Sequence, residues 1–191
     1  MSQEPTTYPP QIAPWRRNLS HVVERAAGRT ADWLLLHWLD ILNVALGLVI
    51  FVALLTPVLA YLGIEPLAGQ IFRAYHSICE QIPSHAFFIL GHQVALCARN
   101  FSLYASLWAG TMIFRFLRGR IRPLPFPLVL LFLLPMALDG GTQMMGWHES
   151  NVVLRIITGT LFGLGICWFA LPYIQEAADE SGLTPALTPA R

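Results

Sequence analysis

Asp139 closes the apolar run LVLLFLLPMAL and is followed by Gly140, Gly141, Thr142 and Gln143. Counted from Phe126, a helix carries Asp139 about 20 Å along its axis. That is the outer leaflet of a bilayer if Phe126 starts at the inner face. A carboxylate there costs about 2.5 to 3.5 kcal/mol on a lenient insertion scale, so it calls for a partner or water and marks a functional site by default. Arg99 and Arg155 are the partners in reach, each opening an apolar stretch on the same side. One guanidinium would pair with the carboxylate, and the other would offer its planar fork to an anion such as a phosphate or carboxylate. Thr142 and Gln143 add neutral hydrogen-bonding groups, so Asp139, Gln143, Arg99, Arg155 and Thr142 form a candidate ligand-binding set. A plainer arrangement uses the same residues: Asp139 caps a helix that Pro135 and the glycine pair break, and both Arg side chains snorkel to headgroups.

A second set lies in the segment 65–99, which holds two of the three Cys and three of the six His. His76, Cys79 and Glu80 fall at i, i+3 and i+4, one face of a helix, and with Cys97 they are a candidate soft-metal set. His85 and His92 could add ligands. No close Cys-x-x-Cys pair supports a metal here, and a disulfide between Cys79 and Cys97 is preferred if the segment faces an oxidising compartment. Cys167 sits in an apolar stretch and reads as a small buried hydrophobe. No P-loop, dinucleotide fingerprint, zincin helix or nucleophile elbow occurs, so no cofactor is called for and the commonest enzyme classes drop out.

The elements that must position these residues are membrane helices. The 191-residue chain is 55% hydrophobic and 12% charged, against about 25% charged in ordinary soluble domains. Its net charge of +1 gives no field to attract nucleic acid. A helix needs about 20 apolar residues to cross the hydrocarbon core. The stretch 41–64 has 24 residues without Asp, Glu, Arg or Lys. The stretch 100–114 is bounded by Arg99 and Arg115, which can snorkel. The stretch 123–138 is short unless it continues past Asp139, and 156–175 is of full length. The expected architecture is therefore an all-α, four-helix transmembrane bundle over 15–175, with helices near 33–62, 97–117, 124–138 and 151–174. An interfacial helix precedes it, where Leu19, Val22, Val23, Ala26 and Ala27 recur at helical spacing. Disordered tails are expected over 1–14 and 176–191.

Every basic residue is Arg. Four (Arg16, Arg17, Arg25, Arg29) precede the first span and four (Arg115, Arg118, Arg120, Arg122) fill the loop between the second and third, against three on the other side. The bias places both termini in the cytoplasm. Gly159 and Gly163, with Ser106 and Gly110 at the same spacing, mark close helix contacts, either to a partner helix in the chain or across a homodimer. Apart from these the expected partner is the lipid bilayer.

Cys79 with the following Gln81, Cys97-Ala-Arg99, Asp139-Gly-x-Thr-Gln and Arg155-x-x-Thr-Gly together resemble a family of small bacterial membrane proteins catalogued as domain of unknown function 2085. The resemblance covers 75–172 and identifies the chain as a divergent member. The later motifs are kept as Asp139, Gly140, Thr142, Gln143, Arg155, Thr158 and Gly159. Glu80 stands where the family pattern has His, His85 and Ala86 where it has Arg-Ser, and Asn100 where it has a Cys. The family pattern implies a zinc-like Cys, His, Cys-x-x-Cys ligand set, of which two members are missing here. It also implies a bacterial cytoplasmic membrane and carries no settled activity. Two function classes follow. One is a non-catalytic membrane component whose outer-leaflet polar site binds a lipid headgroup, an anion or a partner. The other is an extracytoplasmic thiol-redox or metal-dependent enzyme using Cys79 and Cys97. The first is preferred, because Asn100 removes a ligand from the second.

Overall fold

The computed structural model describes residues 14–180. Its first helix, α1 (Pro14–Tyr61), is 48 residues of unbroken helix, about 70 Å long at 1.5 Å per residue. The expected separate interfacial helix is therefore corrected: its residues are the first turns of the spanning helix itself. The reason is local, since no proline lies between Pro14 and Pro57 to remove a backbone donor and break the ladder. α1 ends where Gly63 takes the left-handed conformation at φ 77° and Ile64 N–H reaches back to the Leu59 carbonyl at 2.9 Å.

The segment 65–97 holds a hairpin that was not expected. After α2 (Glu65–Tyr75) and a 3-10 turn at Pro83–His85, strands β1 (Ala86–Ile89) and β2 (His92–Cys97) form an antiparallel hairpin. The all-α description is thus corrected to a mostly helical protein with a small sheet. Val94, Ala95 and Leu96 are fully buried and pack with Ala53 of α1 and Cys79. A strand buried on both faces shows no alternation, which is why periodicity does not reveal it. The hairpin turns on Leu90 and Gly91, both at positive φ (53° and 81°). Two-residue turns of that hand match the strand twist and favour Asn-Gly, so Leu90 is an unusual occupant.

Three helices follow: α3 (Ala98–Leu117), α4 (Phe126–Met144) and α5 (Val152–Glu180). α4 does not break at Pro135 or at the glycine pair; it runs on to Met144, so Asp139 lies inside the helix rather than capping it at 138. α5 likewise continues through 176–180, where a disordered tail was expected, and Gln175 Nε2 donates to Asp179 at 2.6 Å within it. The remainder of both expected tails lies outside the described residues.

α3 packs against both α1 and α5, and α4 packs on α5. The α3/α5 contact is set by small residues. A Cβ on Gly163 would fall 2.1 Å from Ser106 Oγ and 2.8 Å from the Leu103 carbonyl, and one on Gly110 would fall 2.8 Å from Cys167 Sγ. The partner of the Gly159 and Gly163 face is therefore α3 of the same chain. α1 is joined to α3 by a buried polar contact, Thr111 Oγ1 donating to Asn43 Oδ1 at 2.7 Å.

Large apolar side chains such as Val44, Phe51, Ile113, Leu131, Leu138 and Ile157 are exposed. In water such a surface would be a liability, whereas acyl chains solvate it. Among the described residues three helices can cross a membrane by length and composition: Arg25–Tyr61, Phe126–Met144 and Val152–Glu180. α3, the other expected span, is not among them.

Candidate functional site

Asp139 and Arg99 meet at the end of the helical bundle that carries the hairpin. Arg99, in the first turn of α3, donates from Nη2 to Asp139 Oδ2 of α4 in a short ion pair and also to Gln143 Oε1 at 3.1 Å. Asp139 is 7% exposed. The same carboxylate oxygen accepts from Ser150 Oγ at 3.1 Å and lies 3.4 Å from Thr158 Oγ1. One carboxylate thus ties α3, α4, α5 and the α4–α5 loop together. Sequence reasoning named Arg99, Asp139 and Gln143 but missed Ser150 and Thr158 as site members; the cap-like Ser-Asn before α5 was the available signal for the former. Thr142 does not join, because its hydroxyl bonds back to the Leu138 carbonyl at 2.7 Å in its own helix.

Arg155 sits in the first turns of α5 beside this cluster and is 3% exposed. Its Nε donates to the Ser150 carbonyl at 3.0 Å, while Nη2 is buried with no partner. The two Arg are brought close because Gly159 lets α5 pass against the Arg99 carbonyl; a Cβ there would sit 2.4 Å from that oxygen. Asp139 offsets Arg99, which leaves the charge of Arg155 without a bonded counter-charge in the cluster. His85, on the 3-10 turn, has its pKa lowered by burial and then by the positive charge of Arg155.

The thiols of Cys79 and Cys97 stand on the same side of the molecule. Both are free. Cys97 N–H donates to Cys79 Sγ at 3.1 Å, which sets the two cysteines beside one another. The neighbouring Cys97 side chain and this N–H hold the Cys79 pKa down to about 6, whereas the Cys97 thiol, next to that sulfur and buried, is pushed up. The loop that presents Cys79 is pinned by Gln81, a buried non-glycine residue at φ 54°. Its Nε2 donates to the Phe72 and Ala95 carbonyls at 2.7 and 3.0 Å, and its own carbonyl accepts from Gln93 at 2.7 Å. Three hydrogen bonds offset the unfavourable backbone conformation.

A cavity of about 600 Å³ connects the two groups; Cys79, Cys97, Arg99, Gln143, Arg155 and His85 line it, and exposed Glu80 and Met144 form part of its rim. The expected metal set is corrected. α2 ends at Tyr75, so His76, Cys79 and Glu80 do not share a helical face. Among the described residues no three His, Cys, Asp or Glu side chains are gathered in a way that would hold a metal. His76 instead contacts Gln81 Oε1 at 3.3 Å.

Residues 79–169, which contain nearly every group in this cavity, match the family described as Predicted membrane protein (DUF2085). An uncharacterized protein of Methanocaldococcus jannaschii is 35% identical over 130 residues, 64% of this chain and 83% of the relative. The chain belongs to the DUF2085 family. A second uncharacterized relative, from Methanothermobacter thermautotrophicus, is 32% identical over 97 residues, 51% of this chain and 87% of the relative. Both relatives are archaeal, so the resemblance is not confined to bacterial proteins. No solved structure matches the chain. The matched segment begins at Cys79 and leaves out all of α1 and α2, so the DUF2085 unit is the hairpin, α3, α4 and most of α5.

Proposed function

We propose that this DUF2085 protein is a four-span component of the cytoplasmic membrane, with both termini cytoplasmic, whose outer pocket binds a phosphate-like anion. The observation that carries the reading is Arg155: a guanidinium 3% exposed, with an unpartnered Nη2, lining a cavity. Leaving such a charge uncompensated in a dry interior costs several kcal/mol, and an anion in the cavity would remove that cost. Arg99 and Gln143 line the same cavity and add donors. The anion is either free or the phosphate of a lipid headgroup, since the chemistry of recognition is the same.

The four-span reading adds α3 to the three apolar helices. Its 20 residues reach about 30 Å, the thickness of the hydrocarbon core. Arg99 at one end pairs with Asp139 and bonds Gln143, and Arg115 at the other pairs with Asp40 of α1. The Arg-rich loop 118–122 then faces the cytoplasm and the hairpin faces outward.

The test uses the full chain purified in detergent. Inorganic phosphate at a hundredfold excess over its Kd should raise stability by about 2.7 kcal/mol, and Arg155→Gln should abolish the effect. If a lipid supplies the phosphate, phosphatidylglycerol should instead be retained by the wild type in native mass spectrometry and lost from Arg155→Gln. Wild-type protein that neither responds to phosphate nor retains an anionic lipid would end the reading.

A further inference from the structure

Cys79 and Cys97 come from separate elements, the loop after α2 and the end of β2, and the fold sets the Cys97 N–H on Cys79 Sγ at 3.1 Å with both residues in the wall of the Arg155 cavity. Cys97 is also the N-cap residue of α3, its side chain capping no amide, and its own N–H is aimed at Cys79 Sγ, so the helix end favours negative charge on Cys79. Cys79 is buried beneath the protein surface, yet it lines the cavity and is reached through it. Gln81 and Gln93 lock the loop that carries it. A pair of cysteines held beside one another, facing a cavity with an unpartnered guanidinium, is arranged for exchange with a substrate that brings both a disulfide and an anion.

We propose that Cys79 and Cys97 form a reversible dithiol–disulfide couple that exchanges with a small disulfide bearing a carboxylate, the carboxylate resting on Arg155. The location of the anion rests on the anion-site reading above; the couple itself rests on the Cys97 N–H to Cys79 Sγ contact and on both residues lining one cavity. Cys79, as thiolate, attacks one sulfur of R–S–S–R, forming a mixed disulfide and expelling RS⁻. That thiolate takes the proton of Cys97. Cys97 then attacks the Cys79 sulfur, closes the internal disulfide and expels the second RS⁻, which takes from solvent the proton that Cys79 had released. Two protein thiols are oxidised to one disulfide, and one R–S–S–R is reduced to two R–SH. The division of labour follows the geometry: the sulfur that accepts the Cys97 N–H at the start of α3 is the nucleophile, and Cys97 beside it is the resolving group.

The experiment treats the full chain in detergent with oxidised glutathione, which carries carboxylates, and with the neutral 2-hydroxyethyl disulfide, reading products by intact mass. Wild type should lose two hydrogens, with both thiols then protected from alkylation. Cys97→Ser should accumulate the mixed disulfide on Cys79 at least about tenfold faster than Cys79→Ser accumulates it on Cys97, because a backbone N–H is aimed at the Cys79 sulfur. Inorganic phosphate should slow the wild-type reaction with oxidised glutathione and leave the neutral probe unaffected. If Cys97→Ser takes up neither probe at Cys79 and the wild type forms no internal disulfide, the couple is overturned, while phosphate stabilisation would stand by itself. If both probes react alike and phosphate slows neither, the anionic substrate class is overturned, while phosphate stabilisation and lipid retention decide the anion site separately.

Discussion

Arg99 and Asp139, forty residues apart in sequence, form an ion pair across α3 and α4 whose carboxylate is also held by Ser150. The pair is almost fully withdrawn from solvent, with side-chain exposures of 14% and 4%. Its importance for stability follows from burial, because a lone charge left there would have neither water nor partner.

Asp139→Asn should therefore destabilise the protein by about 3 kcal/mol, since removing one member of a buried pair strands the other. Glu149→Gln should stay within about 0.5 kcal/mol, because Glu149 is exposed. Thermal unfolding of the two variants in the same detergent makes the comparison. Combining Arg99→Gln with Asp139→Asn should recover part of the loss, and additive losses would show that the two side chains do not depend on one another.

The α3/α5 seam should not tolerate side chains. Gly159→Val and Gly163→Val drive carbons into backbone oxygens of α3, an overpacking that costs about 1 to 3 kcal/mol or more. Gly141→Ala meets nothing within 4 Å and should be silent. Size-exclusion profiles of the three variants give the readout; monodisperse Gly159→Val protein at wild-type yield would contradict the seam.

The buried Thr111 to Asn43 contact should contribute modestly. Within a membrane such a bond is worth about 0.6 kcal/mol on average and up to about 1.7. Thr111→Val should lower stability by that amount, with Asn43→Ala costing no less because Asn43 Nδ2 also bonds the Leu39 carbonyl at 2.9 Å. A double-mutant cycle in detergent measures the shared part.

The hairpin turn is improvable. Leu90 occupies the left-handed region, which costs a side chain with a bulky Cβ roughly 1 to 2 kcal/mol. Leu90→Asn should raise the melting temperature, since Asn-Gly is the preferred sequence for this turn. A lower melting temperature for Leu90→Asn would mean that the Leu90 side chain matters more than its backbone strain.

Alkylation of Cys79 should follow its depressed pKa. The thiolate predominates above about 6, so iodoacetamide labelling should be flat from neutral to alkaline pH and fall as pH drops through about 6. An ordinary thiol, at 9.0, would lose reactivity well before neutrality. The groups that share the cavity and set the field are Cys97, His76, Glu80, His85, Arg99 and Arg155. Peptide mass spectrometry across pH gives the midpoint, and Cys97 should label far more slowly.

Reporter fusions in the 118–122 loop and beyond Arg191 should both read cytoplasmic, and one at Leu90 should read external. An external signal from the Arg-rich loop would reverse the proposed orientation.

Composition and hydropathy alone decide that this chain belongs in a membrane, because a run such as 41–64 has no cheaper solvent than lipid. The cost of a carboxylate beside apolar residues likewise picks out Asp139 before any contact is known, and Arg99 and Gln143 follow as groups that must be satisfied nearby. The sequence does not say which Arg pairs and which is left open. That choice depends on how close α5 can approach α3, and hence on Gly159 and Gly163 meeting Ser102 and Ser106. The hairpin was hidden for a related reason: β2 is buried on both sides by α1 and its neighbours, so its pattern carries no period. Helix continuity misled at both ends of the bundle. Pro135 and the Gly140-Gly141 pair disfavour helix locally, yet α4 runs through them, since the Arg99 and Ser150 contacts to Asp139 exist only if it does. Local propensity costs about 3 kcal/mol at the proline and about 1 at each glycine, and stranding one member of the buried Arg99–Asp139 pair would cost about 3 to 5 kcal/mol on its own. Tertiary structure likewise decided that Cys79 and Cys97 meet, because that contact depends on Gln81 holding an unfavourable backbone conformation that no residue spacing announces.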